Sequence, residues 1–343
     1  MSRTPSDTGE ARVTGTGRKS IIVFLVLAVV AAGGVILLIP PKLAGLGIPH
    51  HPARTYAEAV DRIESLRLAA PAAMNPLCQV QFMTHGHAAK DVALLVHGYT
   101  SCPQQFSELG RQLFNRGYNV LIAPLPHHGL SDRMTDEQGK LVAEELAQYA
   151  NDAVDIARGL GKRVTMVGIS AGGVTTAAAA QWRTDLYRAV IISPAFGFQM
   201  IPAVLTTDAS GLIRLLPNRF DWWNAQKKDA GSPVYTYPRY STHALAEILR
   251  LGSSIRSAAR GGRPAAQSIV VVTNAADRDV NNNVTRAVTD AWRGKGASLE
   301  TFEFDASLNL NHDLIDPRQE NQKTELVYPR LVELITKELQ EER

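Results

Sequence analysis

From residue 77 onward, short apolar runs alternate with stretches of helical periodicity, the pattern of a parallel sheet covered by helices. The run Val92–Val96 (VALLV) predicts a buried strand, and Phe106, Leu109, Leu113 and Phe114 then recur at helical spacing before Gly117. Val120–Ala123 predicts the next strand. A long helix through Leu146, Tyr149, Ala153 and Ile156 leads to a strand over Val164–Gly168, and Ala171–Trp182 predicts a helix of small residues packed tightly on the sheet. Ala189–Ser193 is a further strand. From about 195 to 262 the rhythm breaks, with Pro202, Pro217, Pro233, Pro238 and the pair Trp222 and Trp223, so this stretch is expected to be a helical cap inserted over the sheet. Strands over Ile269–Thr273 and Ser298–Phe304 flank a helix through Val284, Val288 and Trp292, and a last helix ends near Leu339.

The amino-terminal part has a different character. Residues 1–19 are rich in Ser, Thr, Gly and Arg and suit a cytoplasmic tail. Residues 21–39 contain no charged or strongly polar side chain, long enough as a helix to cross the ~30 Å hydrocarbon core. A single transmembrane helix over 20–39 is therefore expected. Arg18 and Lys19 before it place the N-terminus in the cytoplasm and the rest of the chain outside, anchored to the cell membrane. A cleaved signal peptide is the alternative, though its apolar region usually runs only about 7 to 15 residues. Residues 40–55, with four prolines, predict a linker to a catalytic domain over 56–343.

Composition excludes more than it selects. With 45% hydrophobic and 20% charged residues the chain can build an ordinary core. A net charge of +3, part of it in the first nineteen residues, gives no basic face for nucleic acid. The two cysteines, Cys78 and Cys102, bracket the first core strand. Outside the cytoplasm they can bridge; in the cytosol two buried thiols would be the better reading.

The chemistry centres on Ser170, in Gly168-Ile169-Ser170-Ala171-Gly172 between a predicted strand and a predicted helix. A serine hydroxyl needs a base within hydrogen-bond reach and a third group to orient that base. Of nine histidines only His312 follows the last strand, in the loop 305–313. That loop leaves the carboxyl edge of the sheet, where open α/β folds place their sites. The acid is expected after the strand Ile269–Thr273, where Asp277 and Asp279 both qualify. Asp279 stands closer to the next helix start and suits capping, so Asp277 is the chosen acid.

These motifs together resemble the α/β-hydrolase family, in particular bacterial carboxylesterases and monoacylglycerol-lipase-like serine hydrolases. The resemblance runs from about residue 77 to the C-terminus and rests on LLVHGYTSCPQQF (94–106), GYNVLIAPLPHHG (117–129), VGISAGG (167–173), Asp277 with Val280, and His312. It implies an α/β-hydrolase fold with a mostly parallel central sheet. It also implies an oxyanion hole from the backbone N–H groups of Tyr99 and Ala171, and structural roles for His97 and His128. Where the family usually has Gly-His-Gly, this chain has His127-His128-Gly129, which leaves an acyl-pocket role for His127 as a minor alternative. The expected function is hydrolysis of a small-molecule or lipid ester by a Ser-Asp-His triad through an acyl-enzyme. It calls for no metal and no organic cofactor. Acyl transfer to envelope lipid, cleavage of short peptides and a non-catalytic binding module at the membrane surface are the alternatives. Oligomeric state is not readable from the sequence.

Overall fold

Alternate residues of each central strand face different cores. Val92, Leu94 and Val96 belong to one apolar cluster and Ala93 and Leu95 to another, and Ile269 and Val271 against Val270 and Val272 repeat the division. A sheet buried on both faces needs such near-continuous apolar strands. The computed structural model describes residues 50–203 and 206–339 together with Leu25 and Leu43. Its strands are β1 (Gln81–Met83), β2 (Ala89–Val96), β3 (Asn119–Ile122), β4 (Gly161–Ile169), β5 (Arg188–Ile192), β6 (Phe220–Trp222), β7 (Arg239–Ser241), β8 (Ser268–Asn274) and β9 (Leu299–Phe304). Seven form one sheet in the order β1-β3-β2-β4-β5-β8-β9, parallel throughout except for the edge strand β1. The pair β6–β7 stands apart as a small antiparallel ribbon.

The helices are α1 (Tyr56–Leu68), α2 (Ser107–Phe114), α3 (Ala143–Leu160), α4 (Ala171–Trp182), α5 (Thr206–Leu215), α6 (Thr242–Gly261), α7 (Asn282–Gly294) and α8 (Thr324–Thr336). Residues of α1, α3, α4, α6 and α7 share the first apolar cluster, and residues of α2 and α8 the second. Small side chains let α4 lie close to the sheet. A Cβ on Gly172 would stand 2.2 Å from the Val96 carbonyl oxygen, and one on Gly168 would stand 2.1 Å from the carbonyl oxygen of Gly172.

One expectation from the sequence changes here. No helix among the described residues is long and apolar enough to cross a membrane, so the single N-terminal transmembrane helix, and the membrane partnership built on it, are not supported. Apart from Leu25, the segment 20–39 lies outside the described residues, as do residues 1–19. An apolar run of nineteen residues meets the length requirement for a span, but length and composition by themselves do not establish one. The broken stretch between β5 and β8 is built from several pieces. It contains α5 and the β6–β7 ribbon, but its final helix, α6, sinks Ala244, Ile248, Leu251, Ile255 and Ala259 into the core beside α4. That spacing is amphipathic at helical period, and α6 packs against α3, α4, α5 and α7.

Residues 50–55 are held on the body, since the His51 N–H donates to Asp155 Oδ2 at 2.6 Å and the Ala53 N–H to the Asp155 carbonyl at 2.9 Å. Cys78 and Cys102 form a disulfide, and both are fully buried. The bridge fastens the short helix Pro76–Cys78 to the start of Pro103–Phe106, just beyond the loop that leaves β2.

Candidate active site

Four loops leave the carboxyl ends of parallel strands on one edge of the sheet: Gly98–Ser101 after β2, Ser170 after β4, Ala275–Val280 after β8 and Asp305–Asp313 after β9. Ser170 has φ 57° and ψ −116°, a conformation that side-chain-bearing residues rarely adopt. The turn is held by its surroundings: the Ser170 N–H donates to the Ile192 carbonyl at 3.0 Å, and the Ser170 carbonyl accepts from Val174 and Ala195. The serine therefore stands at the tip between β4 and the N-terminus of α4, where the unpaired N–H groups and the helix dipole favour negative charge.

Asp277 and His312 meet directly, with Nδ1 of His312 donating to Oδ2 of Asp277 at 2.8 Å. Asp277 Oδ1 accepts from the backbone N–H groups of Asp279 at 2.9 Å and Val280 at 3.1 Å. Burial pushes the Asp277 carboxyl up, but the His312 charge and these donors outweigh it and hold the group below its usual range. Burial likewise opposes charging of His312. The Asp277 charge and hydrogen bond prevail, with smaller help from Asp279 and Asp313, and raise the imidazole to about 9. Asp279 is exposed, and the helix cap that it suited is supplied instead by Asn281, whose side chain accepts from the Asn283 N–H.

Tyr99 and Ala171 are both buried, and among the described residues neither backbone N–H has a hydrogen-bond partner. Two such donors near a serine are ready to receive an oxyanion. The Tyr99 hydroxyl accepts from the Ser241 N–H at 3.0 Å, and burial raises its pKa above the ordinary phenol value. Thr100 is clasped from three sides. Its N–H donates to His128 Nε2 at 3.2 Å, its hydroxyl accepts from the Trp223 indole at 2.9 Å, and its carbonyl accepts from the Tyr237 N–H at 2.8 Å. His97 accepts from the Leu125 N–H through Nε2 at 2.9 Å. Burial lowers the His97 pKa to about 3 and that of His128 to about 4, so both stay neutral and brace loops.

His127 points elsewhere. Its ring nitrogens face Glu137 at 3.0 Å and Glu145 at 3.1 Å, and it does not line the cavity beside Ser170, so the acyl-pocket alternative gains no support. Sequence reasoning missed this clasp, the Trp223–Thr100 bond and Gln105, which is buried beside Gly98. None of these pairs leaves a periodic or local signal.

The cavity has a volume of about 840 Å³ and is lined by both Ser170 and His312. Phe198, Met200, Trp222, Trp223, Leu245 and Ile248 give it an apolar wall, while Arg278, Asn309 and Asn311 line its polar side. Asp277, Asp279 and His312 are also the one group of potential metal ligands among the described residues, with donor atoms within 4.8 Å of one another. The Asp277–His312 hydrogen bond and the bond from the Asp279 N–H to Asp277 already hold these residues together, so the cluster needs no ion to explain it.

A family profile described as serine aminopeptidase, S33, matches residues 87–303. The chain belongs to this family. It is an α/β-hydrolase enzyme, resembling carboxylesterases and monoacylglycerol lipases. Among solved structures, one from work on LipS and LipT, two metagenome-derived lipolytic enzymes, aligns with a TM-score of 0.57 at 20% identity, covering 77% of this chain and 100% of the other. The monoacylglycerol lipase of Paleococcus ferrophilus aligns with a TM-score of 0.55 at 17% identity over 75% of this chain and 98% of its own. A soluble variant of the Saccharomyces cerevisiae monoglyceride lipase, bound to a substrate analog, gives 0.57 at 13% identity over 75% and 89%. At these identities the structural likeness establishes the fold. No curated protein sequence matches the chain.

Proposed function

We propose that the enzyme hydrolyses carboxylic esters with Ser170 as nucleophile, His312 as base and Asp277 as the acid that orients it. The observation that carries this reading is the 2.8 Å bond between Asp277 and His312 on a cavity that Ser170 also lines. With Nδ1–H held by Asp277, His312 Nε2 is free to take the Ser170 proton as Oγ attacks the ester carbonyl. The carbonyl oxygen becomes an oxyanion received by the N–H groups of Tyr99 and Ala171, each such donor being worth about 2.7 to 4 kcal/mol of barrier. The His312 imidazolium then passes its proton to the departing alcohol, leaving an acyl-enzyme. A water deprotonated by His312 attacks the acyl carbon, and the acid leaves as Ser170 regains its proton. The apolar wall suits an acyl chain, and the cavity volume is that of a typical small-molecule site.

A fluorophosphonate probe tests the reading. The folded enzyme is expected to be labelled and Ser170→Ala not; an unlabelled, folded wild-type enzyme would refute it. The family description favours a second reading, peptidase action by the same residues. Turnover of aminoacyl anilides faster than acyl esters of similar size would establish it. The Cys78–Cys102 bridge supports a location outside the cytoplasm, because disulfides persist in oxidising compartments. Recovery of the mature protein from the cytosol with two free thiols would contradict that placement.

A further inference from the structure

Gln105 lies on the short helix Pro103–Phe106, is only 3% exposed, and spans two loops of the site. Its Oε1 accepts from the Gly98 N–H at 2.8 Å, and its Nε2 donates to Oδ2 of Asp313 at 2.8 Å. The partners fix the amide orientation, since a backbone N–H only donates and a carboxylate only accepts. Asp313, next in the chain to His312, is itself held. Its Oδ2 also accepts from Gln319 Nε2 at 3.1 Å, its Oδ1 from the Asp316 N–H at 3.3 Å and its carbonyl from Gln322 Nε2 at 2.6 Å. Gly98 precedes Tyr99, and a Cβ placed on it would stand 3.5 Å from Ser170 Cβ. A single buried amide thus connects the backbone beside the nucleophile to the backbone beside the base.

We infer that Gln105 is a positioning residue, anchored by Asp313, that sets the placement of the Tyr99 N–H relative to Ser170 and His312. The inference rests on the ester-hydrolase reading given above. The residue type follows from the two partners. Leucine would leave the Gly98 N–H and a carboxylate oxygen without partners, and glutamate would set one carboxylate against another. Neither change touches a group that bonds to substrate. The loss should therefore fall on the transition state, where a small misplacement of a donor costs most.

The test uses the whole enzyme, with kcat and KM for a soluble acyl ester expressed per active site titrated by a fluorophosphonate. Gln105→Leu and Gln105→Glu are expected to lower kcat by roughly 10- to 100-fold with KM within about threefold of wild type. The pair Gln105→Glu with Asp313→Asn reverses the donor and acceptor: one oxygen of the new carboxylate still accepts from Gly98 and the other accepts from the amide introduced at position 313, whose second N–H is met by Gln319 once the Gln319 amide turns to present its oxygen. It is expected to recover kcat to within about threefold of wild type. If Gln105 merely stabilises the fold, the single variants melt earlier while each titrated site keeps its wild-type kcat, which overturns the inference. A double variant no faster than the slower single variant overturns it as well. An unlabelled wild type would refute the ester reading and this inference with it, whereas a labelled wild type with indifferent Gln105 variants would refute this inference alone.

Discussion

Asp277 and His312 stand 35 residues apart in sequence, in the loops that follow two different strands, yet their side chains share a 2.8 Å hydrogen bond. Asp279, two residues along, does not reach that position. Its backbone N–H is instead one of the donors that hold Asp277 in place. In the proposed mechanism this makes the two aspartates unequal. Asp277→Asn is expected to lower kcat for ester hydrolysis by about 10⁴-fold, because an amide presents the wrong group to Nδ1. Asp279→Asn should leave kcat within a few fold. Steady-state kinetics of the two variants decide the matter, and the opposite ranking would reassign the acid.

The raised pKa of His312 sets the pH dependence. The base must be neutral to accept the Ser170 proton, so kcat/KM should climb with pH, with a midpoint displaced above the ordinary imidazole value of 6.5 toward about 9. The same shift has a stability counterpart. The imidazolium is stabilised in the folded state, so its contribution is complete below about pH 6.5 and is lost as pH rises through about 9. Melting temperatures of the wild type should therefore fall across that window relative to His312→Gln. A rate profile with its midpoint at or below 6.5 would show that the Asp277 charge does not dominate.

Tyr99 separates backbone from side chain. Replacing it with phenylalanine keeps the N–H proposed for the oxyanion hole and deletes the hydroxyl that accepts from Ser241, a fully buried residue. The expected result is a loss of about 1–3 kcal/mol in unfolding free energy, with kcat nearly unchanged. Urea denaturation and initial rates on one preparation give both quantities. A large fall in kcat with stability intact would mean that the hydroxyl acts in the site.

The glycines of the serine turn are expected to be intolerant. At Gly172 an alanine methyl would meet the backbone oxygens of Val96 at 2.2 Å and His97 at 2.5 Å, and neither can swing aside like a side-chain end. Gly172→Ala should destabilise by about 1–3 kcal/mol or prevent folding. Gly262→Ala, where nothing lies within 4 Å of the new methyl, should be close to neutral in the same denaturation assay.

The legible parts of this protein are those written locally. The parallel sheet can be read because its strands are continuous apolar runs, and Val92–Val96, Val164–Gly168 and Ile269–Thr273 all lie inside observed strands. Ser170 can be singled out because strand, turn and helix are adjacent in sequence. Asp277 is less distinct, since loop position alone barely separates it from Asp279. The packing of α6 against α4 is not marked in the sequence, because the partner helix lies about seventy residues earlier. The Gln105–Asp313 and His127–glutamate pairs join distant segments through side chains, and no periodicity marks them. The apolar run at 21–39 is the opposite case: a strong compositional signal for a span that no described helix provides.

The cap interrupts the chain at a telling point. Tyr99 and Ser170 precede it, and Asp277 and His312 follow it, so each half of the sequence carries half of the proposed chemistry. What rejoins the halves is the parallel pairing of β5 with β8, from Arg188 with Ser268 to Ile192 with Val272. A cut within the ribbon region would leave that ladder intact, which makes the insertion the natural seam along which to divide this hydrolase into two complementing fragments.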